Sequence, residues 1–214
     1  MDLKHAKILG GLGAIFILCF IIPVVGWILS IVGFILTAIA VSQISKTVNE
    51  KSIFSNYLIS IILYFASIVT SIIGLIGVFA KIVLKNLDKF ENLNPDFWNR
   101  FNRFGTRNLP HLRDFPQIRE LLTNAGGQIW ILLMVLAIVW IIILVAGLFT
   151  KFSFDKISEK VKINNFKISG LLIFIGSILT ILFGVGFIII LIGVIFEIIS
   201  FFSLPDKYEE KQLT

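Results

Sequence analysis

The fold is decided by residues 7–42, KILGGLGAIFILCFIIPVVGWILSIVGFILTAIAVS, an apolar stretch in which only Lys7 is charged. The uncharged run continues from Ile8 to Ser45. A single α-helix through this run would be ~57 Å long, about twice the ~30 Å hydrocarbon thickness of a membrane. The stretch is therefore predicted to cross a membrane twice. Because Pro23 lacks an amide hydrogen and Gly26 tolerates positive φ, the break is expected there. The predicted spans are residues 6–22 and 26–43.

The same hairpin recurs near the C-terminus when the numbering is shifted by 160 residues. The matching pairs are Lys7 and Lys167, Ile8 and Ile168, Gly10 and Gly170, Leu12 and Leu172, Ile15 and Ile175, Val25 and Val185, Gly26 and Gly186, Ile28 and Ile188, Gly33 and Gly193, and Ile35 and Ile195. This internal repeat predicts two further spans, at residues 166–182 and 186–202. Small residues let membrane helices approach closely. The repeated glycines predicted to serve in this packing are Gly26, Gly33, Gly186 and Gly193.

The composition is that of a polytopic membrane protein. Hydrophobic residues make up 57% of the 214 residues and charged residues 15%, with the charges clustered between long apolar runs. A soluble domain has no use for apolar stretches of this length. The single cysteine, Cys19, excludes a disulfide framework. The net charge of +6 is better explained by anionic lipid headgroups than by nucleic acid, because the basic residues flank the spans.

A third span is predicted at residues 57–80, and small residues follow one face of its helix. These residues are Ser60, Ser67, Thr70, Gly74 and Gly77. Such a face permits close contact between membrane helices. Packing is the preferred interpretation, and a polar pore lining is the alternative.

The central segment, residues 81–127, is predicted to connect spans at the membrane surface. After Asn94-Pro95, which is typical of a helix start, aromatic residues fall on one helical face and arginines on another. The aromatic residues are Phe97, Trp98, Phe101 and Phe104, and the arginines are Arg100, Arg103 and Arg107. An amphipathic helix between two spans is expected to lie in the headgroup plane. RNA binding by stacking is an alternative that one short stretch beside membrane spans disfavours.

With a fourth span at residues 128–150, the sequence predicts an all-α polytopic membrane protein that forms a single membrane domain. It has about six transmembrane helices, repeated N- and C-terminal hairpins and a central amphipathic interfacial segment. An even number of crossings puts both termini on one side. Lysine and arginine are slightly more frequent on that side, which favours a cell-membrane protein with cytoplasmic termini.

Two stretches resemble a known family. GGLGAIFILCFIIPVVGWILSIVGFILTAIA at residues 10–40 and SGLLIFIGSILTILFGVGFIIILIGVIFEIISFFSLP at residues 169–205 are similar to the small, mainly archaeal multi-pass membrane proteins grouped as domain of unknown function 996. The likeness rests on glycine spacing and on the closing FFSLP. It implies a membrane protein and supplies no activity, cofactor or catalytic residue.

Residues that could carry chemistry are few. His5 and His111 have no Cys, Asp or Glu partners at ligand spacing, so neither a metal site, another cofactor nor a catalytic residue is expected. Glu197 is the one acidic residue inside a predicted span, and an ionisable group there is a candidate functional site. It is either a structural carboxyl group, protonated or paired with Lys167 or Ser200, or a group that couples to protons or binds a cation.

Two functional classes follow, and an enzyme is not expected. The preferred hypothesis is a structural or helix–helix interaction role in the membrane, with a homo-oligomer as one form of it. The alternative is a small transporter or channel with an internal hairpin repeat.

Overall fold

The computed structural model describes residues 3–91, 126–181 and 184–208, with side chains at residues 3–81, 130–181 and 184–208. Within these ranges the chain forms six α-helices and no β-strand. They are α1 (Lys4–Leu18), α2 (Val25–Thr47), α3 (Lys51–Glu91), α4 (Gly126–Val161), α5 (Asn164–Leu179) and α6 (Val185–Phe202). A 3₁₀ turn, Cys19–Ile21, extends α1.

Five of these helices are long and apolar enough to cross a membrane. The segments are Lys4–Ile21, Val25–Thr47, Lys51–Lys81, Trp130–Val161 and Val185–Phe202. Helix α5 is also apolar, but it has only 16 residues. A helix of that length rises ~24 Å, less than the ~30 Å hydrocarbon thickness. The predicted all-α membrane class is confirmed. Helix α5 is shorter than the span predicted at residues 166–182.

Three helices extend past the predicted spans into polar sequence. Helix α2 continues to Thr47, α3 runs from Lys51 to Glu91, and α4 continues to Val161. A helix satisfies its own backbone hydrogen bonds, so it need not end where the hydrocarbon ends. The predicted interfacial residues lie outside the described part of the chain. These are Phe97, Trp98, Arg100, Phe101, Arg103, Phe104 and Arg107.

The chain forms two compact units. One, which we call the hairpin unit, comprises Met1–Ser67 and Trp140–Thr214, and the other is Ile68–Val139. In the hairpin unit, α1 packs against α2, α5 packs against α6, and α1 also contacts α6. In the other unit, Gly74 of α3 faces the side chain of Val135 of α4.

The first described residues of the hairpin unit meet the segment that follows α6. The amide of Leu3 donates to the carbonyl oxygen of Asp206 at 2.9 Å. The ammonium group of Lys7 lies 3.3 Å from the Asp206 carboxylate. The start of α1 is therefore joined to the chain after the end of α6.

A second polar contact joins the end of α4 to the α2–α3 connection. Lys156 Nζ donates to the hydroxyl of Ser52 at 2.6 Å and lies 3.8 Å from the Glu50 carboxylate. The hydrogen bond from Ser52 lowers the pKa of Glu50, and the positive charges of Lys156 and Lys160 act in the same direction against desolvation.

A chain of aromatic rings forms the core beneath these contacts. Tyr57 of α3 stacks on Phe154 of α4 with ring centroids 5.8 Å apart. Phe154 meets Phe166 of α5 edge to face at 5.7 Å, and Phe166 meets Phe201 of α6 in the same way at 5.2 Å. The ring of Phe201 in turn covers Gly10 of α1. These buried contacts link five helices.

The two hairpins turn at the same position of the repeat. In the first, Val24 has φ 65° and ψ −66°, and the amide of Val25 donates to the carbonyl of Pro23 at 2.8 Å. This γ-turn is strained for a β-branched residue. In the second, Gly184 has φ 86°. The break lies where the sequence predicts it. The positive φ is at Val24 and not at Gly26, which is helical. Because Gly26 has no Cβ, a carbonyl of the 3₁₀ turn fits against it.

Further along each hairpin, the helices approach closely at a second pair of equivalent positions. A Cβ on Gly33 would lie 2.6 Å from the carbonyl oxygen of Gly13 and 2.8 Å from the amide nitrogen of Ile17. A Cβ on Gly193 would lie 3.1 Å from the amide nitrogen of Ile173. Positions 13 and 33 correspond to positions 173 and 193 in the repeat. Each hairpin therefore has a close contact between its own two helices at the same repeat position.

We expect Gly33→Ala to destabilise the protein, because the added methyl group meets backbone atoms that cannot move independently. The expected loss is about 1–3 kcal/mol of the free energy of unfolding, measured by equilibrium unfolding in mixed micelles. Gly77→Ala is the matched control, since no atom of the described residues outside the surrounding turns of its own helix lies within 4 Å of the position of its Cβ. The control is expected to be neutral or to gain up to ~1 kcal/mol from higher helix propensity. Equal effects of the two substitutions would contradict the close-approach interpretation.

Candidate functional site: the buried polar cluster near Glu197

Glu197 lies on the inward face of α6, and its side chain is buried, with 3% of the residue exposed. The carboxylate oxygen Oε1 has no hydrogen-bond partner among the residues that the structure describes. An ionisable group in this position is costly unless it is paired or neutralised. Glu197 is therefore the starting point for a functional site.

Helix α3 presents two tyrosines to this carboxylate, Tyr57 and Tyr64. The carboxylate of Glu197 interacts electrostatically with both phenol groups. The two residues are seven positions apart, which puts them on one face of α3 about two turns from each other. The phenol of Tyr57 donates to the hydroxyl of Thr37 in α2 at 2.8 Å. Thr37 donates onward to the carbonyl of Gly33 at 3.0 Å.

The second tyrosine leads to helices α4 and α5. The phenol of Tyr64 interacts with the hydroxyls of Thr150 and Ser177. Thr150 donates to the carbonyl of Ala146 in its own helix at 3.1 Å, and Ser177 donates to that of Ile173 at 2.8 Å. The two phenols of α3 thus connect the carboxyl group of α6 with hydroxyl groups of α2, α4 and α5. We call these residues the Glu197 cluster: Thr37, Tyr57, Tyr64, Thr150, Ser177 and Glu197.

The partners that the sequence suggested for Glu197 are different from those found. Lys167 is exposed, and no ion pair joins it to Glu197 within the described ranges. Ser200 donates to the carbonyl of Phe196 at 2.6 Å. Neither residue satisfies the orphaned oxygen of Glu197, because Lys167 stays at the surface and the Ser200 hydrogen is committed to its own helix.

Sequence reasoning missed most of the cluster. The sequence analysis did not predict a site role for Thr37, Tyr57, Tyr64 or Thr150. One signal was available for Thr37, because it occupies the position of the repeat that Glu197 occupies 160 residues later.

The small residues predicted to line α3 have separate environments. Ser60 and Ser67 are buried and donate to the carbonyls of Tyr57 and Tyr64, each at 2.7 Å. Thr70 is half-buried and Gly77 is exposed. The hydroxyls of the two serines therefore point back to their own helix backbone, which fits packing better than a pore lining.

The four repeated glycines all adjoin another backbone. Gly26 and Gly33 face the 3₁₀ turn and α1, whereas Gly186 and Gly193 face α5. Side chains at these positions would meet main-chain atoms, which is the contact expected of glycines that serve in helix packing.

An apolar groove of about 550 Å³ lies between α2 and α3 and is lined by residues other than those of the cluster. Its walls include Phe34, Leu58 and Phe65, and Lys46 lies at its polar end. In a membrane such a groove faces lipid chains. The groove and the Glu197 cluster are therefore two different sites.

The fold and the site define a helical multi-pass membrane protein with a buried layer of hydroxyl groups and one carboxyl group. The chain belongs to the protein family of unknown function DUF996, whose sequence profile matches residues 29–195. It is similar to the uncharacterized protein MJ1644 of Methanocaldococcus jannaschii, with 31% identity over 211 residues that cover 99% of this chain and 98% of the relative. No solved structure matches the chain. The predicted resemblance is confirmed.

We expect the hydrogen bond between Tyr57 and Thr37 to contribute a measurable coupling energy between α3 and α2. In a double-mutant cycle of Tyr57→Phe and Thr37→Val, the expected coupling is about 0.6 kcal/mol, the average for hydrogen bonds between membrane helices. Thr180→Val is the control partner for Tyr57→Phe, because the hydroxyl of Thr180 donates to the carbonyl of Gly176, four residues earlier, and not to α2 or α3. A coupling of zero between Tyr57 and Thr37 in mixed micelles would contradict the assigned bond.

Proposed function

We propose that this protein has a structural or helix–helix interaction role in the membrane and is not an enzyme. The proposal rests on how the hydrogen-bond donors of the hairpin unit are used. In hydrocarbon, interhelical hydrogen bonds and close packing hold helices together, since lipid chains are as apolar as the helix surfaces.

Side-chain hydrogen bonds join each consecutive pair of helices from α2 to α6. They run from Tyr57 to Thr37 at 2.8 Å, from Ser153 to the carbonyl of Ile53 at 2.8 Å, from Trp140 to the carbonyl of Ile178 at 3.1 Å, and from Ser169 to the carbonyl of Gly193 at 2.8 Å. Donors used in this way fix helices against one another. This single observation carries the preference for a structural role over a solute pathway.

A small transporter or channel is the second candidate function. It is favoured by one observation, the buried oxygen Oε1 of Glu197 without a partner among the described residues. Intramembrane carboxylates in transporters serve as proton or ion sites. The repeated hairpins are also a feature of many transporter folds.

The proposal includes a cell-membrane location with cytoplasmic termini. One observation that supports it is the lysine content of the polar segments around the hairpin unit's helix ends. These lysines are Lys4, Lys7, Lys46, Lys51, Lys151, Lys156, Lys160, Lys162, Lys167 and Lys207. Positive side chains favour the cytoplasmic face and attract anionic lipid headgroups. The proposed partners are therefore the bilayer, these headgroups and a second copy of the chain, and not nucleic acid.

The threading is tested with single cysteines in a Cys19-free background. We expect Asn49→Cys, Lys160→Cys and Lys207→Cys to react with an impermeant thiol reagent in inside-out vesicles, and Val25→Cys to react in right-side-out vesicles. The first three positions are exposed at one end of the hairpin unit, and Val25 is 57% exposed at the hairpin turn. Labelling of Asn49→Cys and Val25→Cys from the same side would contradict the predicted threading. A fully reversed pattern would overturn only the cytoplasmic orientation.

The structural role is tested with purified protein in vesicles. We expect no uptake of H⁺, Na⁺ or K⁺ above that of empty vesicles, because the cross-helix donors hold the bundle closed. A pore-forming peptide added at the end provides the positive control. Ion uptake that scales with incorporated protein, and disappears in Glu197→Gln at equal incorporation, would replace the structural role with the transporter alternative.

A further inference from the structure

We propose that the Glu197 cluster is a binding site for one monovalent cation, either a proton on the carboxyl group or an alkali metal ion held by it. The inference goes beyond the structural role, because a cation can be bound at equilibrium without being transported. It rests on counting hydrogens and charges among the described side chains of the hairpin unit.

The hydroxyls of Tyr57 and Thr37 have no hydrogen left for Glu197. Tyr57 donates its hydroxyl hydrogen to Thr37 at 2.8 Å, and Thr37 donates to the carbonyl of Gly33 at 3.0 Å. Each of these hydroxyls owns a single hydrogen, so both are committed. On the α2 side, these two hydroxyls can therefore act toward any further group only as acceptors, through their oxygen lone pairs.

The same count holds on the side of α4 and α5. Thr150 and Ser177 donate to carbonyls in their own helices, at 3.1 and 2.8 Å. Tyr64 is placed to hydrogen-bond with both of these hydroxyls, and its one hydrogen can be given to only one of them. None of these assigned hydrogens is given to the carboxylate, which agrees with an Oε1 of Glu197 that has no partner among the described residues.

The charge count gives the valence of the missing ligand. Among the described residues, the titratable groups that interact electrostatically with Glu197 are the phenols of Tyr57 and Tyr64 on α3, and neither carries a positive charge. One ionised carboxylate is neutralised by one positive charge. A divalent ion would leave a net charge buried in a medium of low dielectric constant, which is costly.

The available ligands suit either source of that charge. A hydroxyl whose hydrogen is committed to a backbone carbonyl directs its lone pairs elsewhere, and carboxylate and hydroxyl oxygens are hard ligands that suit alkali ions. A proton needs only the carboxylate itself. The shared chemistry is a single positive charge at the carboxylate, and the experiment separates the two sources.

The experiment uses the full chain in lipid nanodiscs, with radioactive Na⁺ binding measured beside infrared spectra at neutral pH. Exposed carboxyl groups are ionised at neutral pH, so a carbonyl band of a protonated carboxylic acid reports a buried one. The variants are Glu197→Gln, which keeps the shape and removes the charge, and Glu159→Gln, an exposed control. Circular dichroism and size exclusion establish that each variant folds.

We expect one of two results in the native chain and in Glu159→Gln. Saturable binding of one Na⁺ per chain, lost in Glu197→Gln, identifies an alkali ion. A carboxylic acid band without Na⁺ binding, lost in Glu197→Gln, identifies a proton. If Glu197→Gln does not fold, Glu197→Asp replaces it and is expected to shift the band or weaken Na⁺ binding at least tenfold. A native chain with neither Na⁺ binding nor the band overturns the proposal, and it leaves the structural role intact.

Discussion

Hydrocarbon supplies no hydrogen-bond partner, and most of this structure follows from that constraint. The backbone is helical through the apolar sequence because a helix satisfies its amides and carbonyls internally. Hydroxyl groups obey the same constraint. Thr150, Ser177 and Ser200 each donate to the carbonyl four residues earlier in their own helices. Other donors cross between helices, as Ser169 does to Gly193 at 2.8 Å, so satisfying these polar groups also fixes the packing.

Close packing supplies the rest of the cohesion, and the repeat shows which parts of it are fixed by geometry. Gly33 and Gly193 are glycines in both hairpins because a Cβ at either position would meet backbone atoms of the neighbouring helix. The facing position is less restricted, since it is Gly13 in one hairpin and Ile173 in the other. The turn position accepts different residue types as well, since the positive φ is adopted by Val24 in the first hairpin and by Gly184 in the second.

The sequence predicts the properties that depend on local pattern. Apolar runs gave the all-α membrane class, and Pro23 marked the first break, since proline and chain length act locally. The Glu197 cluster depends instead on which faces of distant helices meet. Tyr64 reaches Thr150 and Ser177 across three helices, and no spacing in the sequence encodes that meeting. The pairing of Glu197 with Lys167 failed for a related reason: proximity along adjacent helices did not decide the direction of the lysine side chain, which faces the surface.

Thr37 and Glu197 show how one position of the repeat carries two side chains with different hydrogen-bonding capacity. Both residues occupy the same repeat position and are buried. A threonine carries its own hydrogen, which it gives to a carbonyl of its helix, and it still accepts one from Tyr57 at 2.8 Å. A carboxylate carries no hydrogen and adds one negative charge. Unlike Thr37, Glu197 therefore keeps an oxygen without a partner among the described residues, and the proposed cation site rests on this difference between the two hairpins.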